Sequence, residues 1–219
     1  MLHDCHVTAS AASHDNAWTQ ITRALARARF GIASIAAAYV ASVLAGIIMV
    51  SAGNSFAIRR RDSLVAHANA TSSISRALQS NRLTTAAALD FGGNLAGGTA
   101  SLLAGYWAPA AYPIVLYRGW VGGIVSIERT TGGKHRSRLA DPPEARYYLI
   151  TLLLQLVPYS LAGGAGVMMG LARARPVGIY AGPKLLTIPV EALRDAARIY
   201  AIAVPLFALA SAFEYFCLP

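Results

Sequence analysis

Apolar residues occupy this chain in long blocks. Phe30–Ile58 runs 29 residues without a charge, and its first part, Phe30–Val50, supplies the roughly 20 apolar residues that a helix needs to cross a hydrocarbon core at 1.5 Å rise per residue. Leu83–Ile127 follows, 45 residues whose only charges are Asp90 and Arg118. That is about 67 Å of helix, twice one bilayer core, and Trp107, Pro109, Tyr112 and Pro113 interrupt it near its middle. The pattern predicts two spans, 83–105 and 112–128, joined by a tight hairpin with interfacial aromatics. Tyr147–Leu171 and Ile199–Cys217 complete a set of five spans.

The polar segments fall between these blocks. Met1–Arg29 reads as a disordered tip followed by a short interfacial helix, Trp18–Arg29, that carries Arg23, Arg27 and Arg29. Residues 59–82 and 128–146 read as loops. Residues 173–198 form a basic connector whose second half, Pro189–Arg198, reads as a helix. Pro189 suits a first turn, and Glu191 and Asp195 stand at helical spacing from Arg194 and Arg198. The expected fold is an all-α membrane protein of five transmembrane helices with short loops and an N-terminal interfacial helix. It divides into a polar segment, 1–29, and a membrane domain, 30–219, with the termini on opposite sides.

Composition agrees with a lipid-facing surface. Charged residues make up 13% of the chain, about half the share usual in soluble domains, and mean hydropathy is +0.46. The net charge of +9 fits basic residues flanking spans beside anionic headgroups better than it fits a nucleic-acid partner. The lipid bilayer is therefore the first expected partner. Cys5 and Cys217 fall on opposite sides of a five-span topology, so no disulfide framework is expected. The first 29 residues lack the apolar region of a signal peptide, so the first span is expected to stay in the mature protein. Lys/Arg bias leaves orientation open, with eight on the side of the N-terminus and ten on the other.

Candidate chemistry is sparse. Gly93-x-x-x-Gly97, Gly119-x-x-x-Gly123 and Gly166-x-x-x-Gly170 lie in three different spans, where missing side chains let helix backbones approach. They suit ordinary packing, or else a pore or flexible gate. Asp90, Gln155 and Glu214 each lie several residues inside one end of a span. Alternating helix direction puts all three at similar depth on one side, where they can form one intramembrane polar cluster or reach headgroup water. Arg118, the only cation inside a span, is expected to snorkel toward the hairpin, because Asp90 lies about 15 Å away in depth. His3-Asp4-Cys5-His6 has metal-ligand residue types without a second cluster to close a site. No span contains His, and neither HExxH nor a phosphate-binding glycine loop occurs. Neither catalysis nor a cofactor is expected. Asn69-Ala70-Thr71 is a glycosylation sequon, relevant only to a eukaryotic secretory protein.

Leu152–Ala172 (LLLQLVPYSLAGGAGVMMGLA) and Pro205–Phe216 (PLFALASAFEYF) resemble the last two spans of the stage II sporulation protein M family. The Ala-Gly run Ala162–Gly166 and the sequence Ser211-Ala212-Phe213-Glu214 carry the likeness. Gln155 stands where that family tends to have glutamate, and Thr151-Leu152 where it has His-Gly. Weaker similarity covers Phe91–Gly105 and Arg118–Gly123. The resemblance implies a prokaryotic inner membrane, a cytoplasmic N-terminus and a non-enzymatic subunit. Two functions are therefore expected. One is a scaffold or accessory subunit of an envelope complex, with other membrane or envelope proteins as partners. The alternative is a permease-like subunit that moves a small solute through a cavity lined by Asp90, Gln155 and Glu214.

Overall fold

The computed structural model describes residues 16–129, 135–137 and 140–217. Met1–Asp15, with Cys5 and the His3–His6 cluster, lies outside them. The first described element, α1 (Ala17–Ser51), is one helix of 35 residues. Asn16 caps it, its side chain accepting the Trp18 N–H at 3.3 Å. The expected interfacial helix and first span are thus a single rod of about 52 Å. No Pro or Gly pair separates Arg29 from Phe30, so helical propensity carries straight through the change in polarity.

Residues 59–82, expected as a loop, are mostly helical: α2 (Ser55–Thr71) and α3 (Ser73–Gln79). The signals that end and restart the helix here are local. Gly53 at φ 76° closes α1, with its N–H on Val50 and the Asn54 N–H on Met49, and Asn54 then caps α2 through the N–H groups of Phe56 and Ala57. Ser72 caps α3 through the Ser75 N–H at 2.9 Å. Asn81 at φ 54° ends α3, and the Arg82 N–H reaches back to Ala77.

The next block forms α4 (Leu83–Ala104), a 3₁₀ turn at Ala108–Ala110 and α5 (Ala111–Val125), placing the hairpin at the expected prolines and aromatics. Short strands β1 (Ile127–Arg129) and β2 (His135–Ser137) pair antiparallel after α5. Pro142 opens α6 (Pro142–Ala174) at its first turn. A second two-stranded ribbon, β3 (Lys184–Leu185) with β4 (Ile188–Pro189), leads into α7 (Val190–Phe216), which joins the expected connector helix to the last apolar block.

Among the described residues three helices, α1, α6 and α7, are long and apolar enough to cross a membrane. Of the other two expected spans, α5 has 15 residues, about 22 Å of rise, and α4 is diluted by Asp90, Asn94 and small residues.

Helix α6 is the pillar of the bundle. Pro158–Ser160 and Ala162–Gly170 are buried on every side, the mark of a helix surrounded by others. α1, α4 and α7 pack against it, α5 lies along α1, and α4 lies along α7. Burial runs in three tiers: Ala28, Ala165, Ala192 and Ile199 at one end; Ile35, Tyr39, Tyr159 and Phe207 in the middle; Val50, Ala57, Ile124 and Ile127 at the other end. On the outside, Leu44, Ile48, Leu103, Leu153 and Leu209 are exposed, an apolar belt suited to acyl chains.

Candidate functional site

Glycine contacts hold the pillar in place. A Cβ on Gly164 would strike the backbone of Ile32 in α1, and one on Gly166 would meet the Leu102 carbonyl of α4 at 2.7 Å. Gly170 faces Gly105 and Ala108 at the hairpin. Between α5 and α1, Gly119 faces the Tyr39 carbonyl, Gly123 faces Val43, and Gly46 faces the Trp120 carbonyl at 2.6 Å. These positions have backbone as a close neighbour, so three of the six glycines singled out from sequence, Gly119, Gly123 and Gly166, sit at helix–helix contacts, and a fourth, Gly170, packs against the hairpin.

Gly93 and Gly97 do not. Nothing lies within 4 Å of a Cβ on Gly93, and the neighbours of Gly97 are the side chains of Arg118 and Tyr159. This groove receives an arginine instead of a helix. Arg118 donates from Nη2 to the Gly93 carbonyl at 3.1 Å, and its guanidinium lies 5.7 Å from the centre of the Tyr159 ring. It therefore turns inward across α4 instead of snorkelling toward the hairpin. The physical reason is the groove: two glycines leave room for the guanidinium and expose a carbonyl to accept it.

Asp90, Gln155 and Glu214 meet α7 at neighbouring turns. Gln155 donates from Nε2 to Glu214 Oε2 at 3.3 Å. Asp90 Oδ2 accepts from Ser211 Oγ at 2.7 Å and from Asn94 Nδ2 at 2.8 Å. Ser211 and Glu214 are three residues apart, on one face of α7. Tyr159 extends the network, donating to Asn94 Oδ1 at 3.2 Å, and Tyr147 donates to the Glu214 carbonyl at 2.7 Å. The places of Ser211, Asn94 and Tyr159 in this network are not legible in the sequence, because they depend on how three helices are rotated.

A second, charged network lies at the opposite end of α7. Asp195 is fully buried and accepts Arg27 Nε at 2.7 Å, Arg27 Nη2 at 2.6 Å, Arg198 Nη1 at 3.0 Å and the Tyr180 hydroxyl at 2.9 Å. Glu191 takes Arg194 at 3.2 Å and Arg198 at 2.9 Å, and Arg198 also reaches Gln20 Oε1 at 2.9 Å. Burial, then the Asp195 carboxylate, pushes the Tyr180 phenol above its ordinary value. A cleft of about 490 Å³ opens over this network between α1 and the start of α7.

Helical spacing gave the pairs within α7. The link from Arg27 to Asp195, 168 residues apart, it could not give. One signal was available: Asp195 falls on the stripe Ala192, Ala196, Ile199 and Ala203, and an acid on the apolar face of a helix demands a partner.

Comparison of the chain with protein-family models, with curated proteins and with solved structures gave no match.

Proposed function

We propose that the chain is a multi-pass protein of a prokaryotic inner membrane and serves as a non-enzymatic scaffold or accessory subunit of an envelope complex, in the manner of the stage II sporulation protein M family. In this reading α4 and α5 join α1, α6 and α7 as membrane-embedded helices, five in all. The observation that carries it is the way the apolar belt encloses a core in which glycines bring backbones into contact across α1–α5, α1–α6 and α4–α6, a close packing that suits a structural subunit. The glycines at those contacts are taken up by the chain's own helices. Gly92 of α4 is exposed, with nothing within 4 Å of a Cβ there, and Ala96 is exposed one turn on. That face can receive a helix of a partner.

The test is purification in mild detergent from native membranes, with Gly92→Leu/Ala96→Leu beside the natural chain. A partner at fixed stoichiometry that is lost from the folded double variant supports the scaffold. A chain that purifies alone in both forms refutes it.

The second reading is a permease-like subunit, favoured by the run of polar contacts from Tyr159 through Asn94 and Asp90 to Ser211, next to Gln155–Glu214. Solute-dependent swelling of proteoliposomes that Asp90→Asn abolishes would establish it instead.

A further inference from the structure

The cleft between α1 and α7 is positively charged and placed at one end of the apolar belt. Arg23, Arg27, Arg194 and Arg198 line it with a single acid, Glu191, and Asp195 lies buried beside it. Four guanidinium charges against two carboxylates leave a net charge of +2. The side chains of Arg27 and Arg198 are only 29% and 25% exposed. Their attraction for an anion is therefore screened less than that of a free surface arginine.

Asp195 prepares the site. It takes two of the five N–H donors of Arg27 and, together with Glu191 and Gln20, three of those of Arg198, which holds both guanidinium planes without using up their donors. Pro189 and Val190, on the cleft wall, form the start of α7, whose dipole adds partial positive charge there.

Depth is set by the neighbours. Phe30, three residues after Arg27, is 73% exposed and opens the apolar block of α1; Ile199, next to Arg198, opens that of α7. Leu185 and Leu186 are 59% and 82% exposed on the ribbon that leads into α7. Large apolar side chains beside arginines on this rim belong where headgroups meet acyl chains.

We infer that this cleft binds a phosphate-bearing anion, with guanidinium groups holding the phosphate oxygens. The inference rests on α1 and α7 being membrane helices and is independent of the scaffold role. Two sources share this chemistry: the headgroup of an anionic phospholipid and a soluble phosphate ester.

The experiment uses the full chain in nanodiscs and in detergent, as the natural protein and as Arg23→Gln/Arg194→Gln. These two arginines line the cleft without contacting Asp195, so the hydrogen bonds to the buried carboxylate stay in place, and Arg194→Gln gives up the more exposed Arg194–Glu191 ion pair. Arg76→Gln/Arg82→Gln, outside the cleft, removes the same net charge. Native mass spectrometry reads retained phosphatidylglycerol against phosphatidylcholine, and a parallel titration uses glycerol 3-phosphate. Preferential retention of phosphatidylglycerol that falls about fivefold per cleft arginine, and holds in the control variant, supports the site and assigns it to lipid. Binding of glycerol 3-phosphate with the same variant pattern and no lipid preference supports it and assigns a soluble ligand. Equal retention of both lipids with no phosphate-ester binding overturns it, as does a preference that the cleft variant leaves unchanged or the control variant abolishes equally.

Discussion

Asp195→Ala is the sharpest perturbation of this structure. The carboxylate is fully buried and receives four hydrogen bonds, three of them from guanidinium groups that are about a quarter exposed. Deleting one member of a buried ion pair costs about 3–5 kcal/mol, because its partners keep their charge without compensation. Arg27 and Arg198 retain some access to water, so the expected loss is near the lower end, about 3 kcal/mol. Asp195→Asn preserves volume but keeps only one acceptor oxygen and sets an NH2 donor where the other accepted, so about 1.5–3 kcal/mol is expected, in line with lost hydrogen bonds to charged groups. Unfolding by titration of sodium dodecyl sulfate into mixed micelles, followed by circular dichroism, measures these changes. Adding Arg27→Ala and the double variant closes a thermodynamic cycle, with an expected coupling of about 1.5–3 kcal/mol. Moderate salt should leave that coupling largely intact, since buried pairs are weakly screened. A loss below about 1 kcal/mol for Asp195→Ala, or coupling within the roughly 0.3–0.5 kcal/mol expected of independent sites, would refute the reasoning.

Gly123→Ala should destabilise the bundle by about 1–3 kcal/mol because its Cβ meets the Val43 carbonyl, whereas Gly92→Ala, with open space around it, should be neutral or slightly stabilising in the same unfolding assay. Cysteines introduced at Ser72 and Ser137 should label from one side of the membrane and at Ala174 from the other; labelling of Ser72 and Ser137 from opposite faces would remove the α4–α5 hairpin from the membrane topology. Tyr180 gains proton affinity on folding, so its contribution to stability is complete below the ordinary tyrosine value of about 10 and declines as pH rises past it. Tyr180→Phe should flatten that alkaline decline, and identical slopes for the two proteins between pH 9 and 11 would show that the phenol gains no proton affinity there.

Much of the architecture could be read from one dimension. Charge-free length and the Trp107–Pro113 interruption located the helical blocks, because each depends on local chemistry: backbone satisfaction in hydrocarbon, and proline's missing donor. The pairing of Glu191 and Asp195 with Arg194 and Arg198 was legible for the same reason, being set by helical pitch alone. Residues 59–82 are mostly helical although their polarity suggests a loop, because the caps at Asn54 and Ser72 and the left-handed Gly53 and Asn81 specify helices there.

What the sequence by itself determined is therefore an α-helical chain whose longest helices suit a membrane, with glycines, carboxylates and arginines at known depths along each rod. The tertiary structure decided which way each rod turns. Rotation put Gly166 and Gly123 against backbone but Gly93 and Gly97 around Arg118, and it buried Val167 within the pillar α6. It also joined Arg27 to Asp195 across 168 residues. A period of 3.6 residues fixes neighbours along a helix, but the angle at which two helices meet depends on every side chain between them, and no single stretch of sequence contains that sum.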